Sequence, residues 1–303
     1  MLFWILAVVI SLGIMVYQRL TGPTYEKDYR ITTDGEMFAF ELPRSHGGDG
    51  DCPVTIELPE EFDGRIIFRR FPTDEPWDTL QLTREDNLLK TCLPHQPPAG
   101  KLEYHLELTA EGKQVPLGDT ENVVIRFKGA VPAWAQIPHI LLMILTVIWS
   151  TAVIFFALAD MREYQKYLGM TILFLLGGGF IFGPVVQHYA FGQYWTGWPL
   201  GEDLTDNKVL LALIFFLVAW FLRKKNYGRW LAIVASLVML AIYLIPHSLN
   251  GSELDPETGE VITGTLPLFL NRVFSDRTFP GRPDPDDFFM NSLTGETGIY
   301  FRF

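Results

Sequence analysis

The placement of apolar residues constrains this chain most. They gather into five runs, at 2–20, 137–159, 168–186, 209–222 and 230–245, and a long polar stretch, 23–129, separates the first from the rest. Crossing a hydrocarbon core of about 30 Å takes about 20 mostly apolar helical residues. Only helices and closed barrels satisfy their backbone in that medium. The pattern therefore predicts an α+β membrane protein with about five transmembrane helices. The run 209–222 is short for a span, and residues 204–208 could extend it. The first run lacks a basic leader and a small-residue cleavage site, so it reads as a retained anchor rather than a signal peptide.

Lys and Arg in short loops set orientation, because they are retained on the cytoplasmic side. Arg162 and Lys166 lie between the second and third runs, and Arg223, Lys224, Lys225 and Arg229 between the fourth and fifth, whereas 187–207 has no basic residue and carries Glu202, Asp203 and Asp206. This asymmetry puts the N-terminus inside. It puts the polar stretch and the C-terminal tail outside, which in a two-membrane bacterium means an inner-membrane protein facing the periplasm.

Within the polar stretch, apolar or alternating segments at 54–58, 65–68, 101–108 and 123–127 are divided by Gly, Pro and Asp clusters. Such spacing suits an immunoglobulin- or fibronectin-like β-sandwich between helices 1 and 2. The chain then divides into an anchor (1–20), this domain (23–129), a four-helix membrane domain (134–246) and an extracytoplasmic tail (247–303). The tail is rich in Pro, Gly and Asp yet ends in Ile299-Tyr300-Phe301-Arg302-Phe303. So many aromatics suit an extended segment lying over a protein surface better than free disorder. The two cysteines, Cys52 and Cys92, fall in the polar stretch, leaving a disulfide and two free thiols equally open. The net charge of −11 excludes nucleic acid as a partner, since binding phosphate backbones requires clustered cations.

Three histidines, His139, His188 and His247, fall at the outer ends of the second, third and fifth runs, near Glu202, Asp203, Asp206, Asn207, Ser248, Glu253 and Asp255. Imidazole with carboxylate suits iron, copper or zinc, and carboxylates alone suit calcium. A haem or transition-metal site built from His139, His188, His247, Asp203, Asp206, Glu253 and Asp255 is one expectation. The other is that the histidines sit at the polar interface and that Asp203 and Asp206 cap the fourth helix. No Cys-x-x-Cys-His segment is present for covalent haem.

Gly177-Gly178-Gly179 and Gly183-Pro184 favour close helix packing over space for a flat cofactor. Tyr189, Phe191, Tyr194, Trp195 and Trp198 read as an interfacial belt. The turn His46-Gly47-Gly48-Asp49-Gly50-Asp51 departs from a calcium-binding repeat at Cys52. A nucleophile elbow, P-loop, His-Glu-x-x-His and dinucleotide fingerprint are all missing. No ionisable residue interrupts the middle of a run, which disfavours transport. The sequence thus points to a non-enzymatic accessory or assembly subunit of an envelope complex, whose partners are the bilayer and other membrane subunits. A metal- or haem-binding redox protein is the alternative.

Overall fold

The computed structural model describes residues 1–33, 35–117, 121–246, 252–256 and 258–262. It divides into two units, Met1–Thr265 and Leu266–Phe303. The second unit lies outside the described residues, as do His247 and Ser248.

Four helical stretches are long and apolar enough to cross a membrane: Leu2–Leu20, Ala133–Leu158, Tyr164–Phe191 and Leu204–Leu222. They comprise α1 (Leu2–Leu20), α2 (Ala133–Leu158), α3 (Tyr164–Leu175) running through a π-helical segment Leu176–Phe182 into α4 (Gly183–Phe191), and α5 (Leu204–Leu222). The fifth apolar run forms α6 (Gly228–Leu244), which at 17 residues is shorter than the four spans. The fourth run does begin earlier than its apolar residues, because Asp203 accepts hydrogen bonds from the Thr205 and Asp206 amides and so starts α5 at Leu204.

α2 is the most buried of the spans and touches α1, α3, the π-helical segment and α6. Its polar contact with α1 is a buried hydrogen bond, Ser11 Oγ to Thr151 Oγ1 at 2.9 Å. Inside a membrane such a bond contributes about 0.6–1.7 kcal/mol. Trp4 adds edge-on contacts to Trp149 and Tyr167.

Two contacts fix which loops share an end of the bundle. Arg229 pairs with Asp160 at 2.6 Å, and the Tyr164 hydroxyl donates to the Arg223 carbonyl. The loops carrying Arg162, Lys224 and Lys225, and the first turn of α3 with Lys166, therefore meet at one end. At the other, Gln18 and Lys208 both donate to the Ile245 carbonyl, gathering the end of α1, the start of α5 and the end of α6. The strands lie on this second side of the chain path, between α1 and α2.

The triple glycine is a packing device. A Cβ on Gly179 would lie 2.7 Å from Val209 Cγ1, one on Gly178 2.9 Å from Met143 Sδ, and one on Gly177 3.1 Å from Leu142 Cδ1. Neighbouring helices fill the space a flat cofactor would need.

After α1 the chain forms β1 (Lys27–Thr33), β2 (Glu36–Leu42), β3 (Ser45–Gly47), β4 (Cys52–Glu57), β5 (Phe62–Phe71), β6 (Asp78–Gln81), β7 (Thr83–Glu85), β8 (Leu88–Leu93), β9 (Lys101–Ala110), β10 (Lys113–Val115) and β11 (Val123–Lys128). One sheet runs β3-β11-β9-β5-β6, with β10 on β9; a second runs β4-β8-β7; β1 and β2 form a hairpin. All pairs are antiparallel except β3 with β11. Alternation explains the burial: Cys52, Val54 and Ile56 point inward and Pro53, Thr55 and Glu57 outward along β4. The inward residues of all three sheets share one core, including Phe62, Ile66, Leu89, Tyr104 and Phe127. The Tyr104 hydroxyl donates to the Pro43 carbonyl at 2.7 Å, satisfying its polar end inside that core.

The disulfide alternative does not hold. Cys52 pairs with Leu93 and Cys92 with Pro53, one residue out of register, so Cys52 is buried in the core and Cys92 exposed, and both are free thiols. Burial pushes the Cys52 thiol up to about 11, which keeps it protonated and inert at neutral pH.

Substitution of the membrane glycines tests the packing. Gly179→Ala meets a stiff β-branched side chain and should cost about 1–2 kcal/mol once the helix gain of alanine is subtracted. Gly178→Ala should cost about as much, because the Met143 thioether can move but Leu142 Cβ, 3.0 Å from the new methyl, cannot. Gly13→Ala, with nothing within 4 Å, should be neutral or stabilising. Thermal unfolding in detergent checks the order; equal effects at all three sites would show that the glycines do not govern packing.

Candidate functional site

Most of the candidate residues lie where the strands meet the helical bundle, and the geometry there begins with two cations. Lys101 opens β9, and Arg126 sits in the outward phase of β11 between inward Ile125 and Phe127. An outward arginine is normally solvated. This one is 9% exposed, because the end of α4 and the segment after α6 cover it. Its guanidinium lies 4.4 Å from the Phe191 ring centroid and donates to the Ser252 carbonyl. A desolvated cation over an aromatic face gains about 0.5–2 kcal/mol. Lys101 pairs with Glu253 of the short strand β12 (Glu253–Leu254), which is joined to β13 (Val261–Ile262). Burial pulls both cations below their ordinary ranges, and the charge of Glu253 opposes the shift in each, with Asp203 adding to the opposition at Arg126.

Backbone contacts complete the joint. The Gly129 amide donates to the Ala190 carbonyl at 3.0 Å, and a Cβ on Gly129 would lie 2.3 Å from the Tyr189 carbonyl oxygen. The Leu254 amide donates to Ala99, and the Gln193 side-chain amide to Val261. Residues 252–256 and 258–262 thus form a strap between the β-domain and the bundle.

Beside the strap, the loop after α4 is clasped to the start of α5. Asp206 accepts from the Thr196 amide at 2.7 Å and its hydroxyl at 3.1 Å, and Asn207 accepts from the Trp198 amide at 2.7 Å. The Gln187 amide group also donates to Asp206 and to the Tyr194 carbonyl. Lys208 is buried, donates to the carbonyls of Ile245 and Pro246 beyond the end of α6, and has Asp203 as its nearby counter-charge.

The structure therefore gives the expected ligands separate partners. Asp203 caps α5, Asp206 holds the loop, Glu253 neutralises Lys101, and Asp255 accepts from the Thr258 hydroxyl at 2.9 Å. His188 stacks on Tyr194 with centroids 4.1 Å apart, and its buried Nδ1 has no hydrogen-bond partner. His139 donates from Nδ1 to the Gly178 carbonyl at 2.8 Å, in the π-helical segment, which leaves the lone pair of the neutral ring on Nε2. His247 lies outside the described residues. Among the described residues no group of three or more His, Cys, Asp and Glu is placed to hold a metal ion.

Sequence reasoning missed Lys101, Arg126, Lys208 and Gly129. The one signal that could have found Arg126 is a cation flanked on both sides by strand residues of the core-facing phase. Compared with family models, curated protein sequences and solved structures, the chain matches none.

Removing one member of the joint exposes its energetics. Glu253→Ala leaves two poorly solvated cations facing each other and should cost about 2–3 kcal/mol, less than a fully buried pair because both side chains keep some solvent access. Lys101→Met/Glu253→Leu should recover more than half of that loss. Thermal unfolding in detergent reads both, and a neutral Glu253→Ala would show that the strap carries no weight.

Proposed function

We propose that the chain is a non-enzymatic accessory or assembly subunit of a bacterial envelope complex, docking onto partner subunits through its β-domain and tail. The observation that carries this reading is the joint: a domain meant only as a tethered sensor needs a free linker, whereas here Arg126, Lys101, Gly129 and the strap hold it against the bundle. A fixed mount presents a surface at a set height and angle. The segregation of Arg162, Lys166, Arg223, Lys224 and Lys225 at the opposite end supports an inner-membrane protein with its N-terminus inside and the β-domain and C-terminus in the periplasm. Strand order supports the finer assignment of an immunoglobulin-like sandwich, since β4-β8-β7 and β5-β9-β11 follow the B-E-D and C-F-G groups in chain order. Such a fold says little about function by itself, since many unrelated proteins use it for contact surfaces.

A second reading, a metal or haem site, is favoured by one detail. A histidine ligand commonly donates its other ring nitrogen to a carbonyl, as His139 does to Gly178.

The docking reading is tested by extracting the protein from its native membrane in mild detergent, sizing it and weighing the components. The expected result is a particle heavier than the 34.5 kDa chain that contains a second polypeptide in fixed ratio, and that falls apart when a flexible Gly-Ser insert follows Gly129. A chain found alone or only with copies of itself overturns the reading, and stoichiometric iron, copper or zinc in it turns attention to His139.

A further inference from the structure

The hairpin β1–β2 and the sheet β4-β8-β7 lie side by side, with β2 next to β4, yet no ladder joins them. Among the described residues β2 pairs with β1 alone and β4 with β8 alone, so each presents an unpaired edge to the other. Between and over these edges lies a groove of about 690 Å³, lined by Asp28, Arg30 and Glu41 on the hairpin side and by Pro53, Thr55 and Glu57 on the other. That volume falls within the range of about 300–1,000 Å³ usual for binding clefts. Its floor is the Tyr29–Phe40 pair, stacked at 5.8 Å, together with Val54.

The charge of the groove is one-sided. Glu26, Asp28, Glu41 and Glu57 line it against the single cation Arg30, and among the described residues none of these carboxylates forms an ion pair. They also crowd one another: a hydrogen bond from Glu26, with the charges of Glu26 and Asp28, raises Glu41 above the ordinary carboxylate range. Acidic side chains and a proline on an edge repel a second copy of the same edge, which is how proteins keep strand edges from pairing with themselves. That protection works against like charge and leaves the edge open to opposite charge.

Resting on the docking reading above, we propose that the groove between β2 and β4 takes up an extended segment of a partner polypeptide with Lys or Arg at alternate positions, held as an added strand. A backbone ladder along one of the edges would supply affinity and the carboxylates selectivity, since β2 and β4 approach within 8 Å, closer than the two ladder spacings of about 9.6 Å that bonding to both would need.

The test uses the full chain in detergent and a fluorescent peptide of eight residues alternating Lys and Val, read by anisotropy. The wild-type protein should bind it, and Glu41→Lys/Glu57→Lys should weaken binding tenfold or more while leaving the unfolding temperature unchanged. Reversing two carboxylates on other loops, Asp49→Lys/Glu111→Lys, should change binding less than twofold, and a peptide with Pro in place of Val should not bind. No binding, equal loss in both double variants, or equal binding of the Pro peptide overturns the proposal. Sizing the native particle separates the two levels: one that survives Glu41→Lys/Glu57→Lys removes the groove and leaves docking standing, whereas a wild-type chain found alone removes docking itself.

Discussion

The covered guanidinium of Arg126 is the interaction on which the relation between domain and bundle depends. A cation taken out of water costs several kcal/mol unless its surroundings replace the lost solvent. Here the Ser252 carbonyl, the Phe191 ring and the charges of Glu253 and Asp203 do so, and they come from the strap, the end of α4 and the start of α5. Its Nε stays without a hydrogen-bond partner, and the rest of the guanidinium is compensated only when those elements close on the β-domain together. The same condition holds for Lys101 and, on the bundle side, for Lys208, so three cations tie three parts of the chain into one joint.

This arrangement also explains what became of the acidic residues. A carboxylate at a membrane interface can bind a metal, cap a helix or neutralise a cation, and residue type alone does not separate these uses. Position does. Asp203 precedes a helix whose first amides need an acceptor, Asp206 faces the Thr196 amide, and Glu253 meets an ammonium that burial has left poorly solvated. Among the described histidines, His139 keeps a lone pair at Nε2 and His188 has an unpartnered Nδ1.

What the sequence made legible follows from the range of each interaction. Span length and hydropathy are local, and the four long helices could be read from them, as could the segments that became β4, β9 and β11. The start of α5 was legible only through Asp203, a cap rather than an apolar residue. The joint was not legible, because Lys101 and Glu253 are separated by 152 positions and Arg126 and Ser252 by 126. Nor was the state of the cysteines: alternation gives the face of each residue but not the register between strands, and a single-residue offset sends Cys52 inward and Cys92 outward. The π-helical segment was hidden too, since its glycines are compatible with an ordinary helix.

The edges of the β-domain are protected in two different ways, and the difference locates its openness. β3, β6 and β7 are three or four residues long, too short to template another strand. β2 and β4, of seven and six residues, lack that protection and rely on charge and on Pro53. β1, equally long, carries Lys27, Asp28 and Arg30, charges of both signs that select for neither. Shortness excludes every strand, whereas uniform charge excludes only strands of the same sign. A domain joined to the helical bundle, with one long edge pair guarded by Pro53 and a surplus of carboxylates, thereby favours a basic extended partner at that seam.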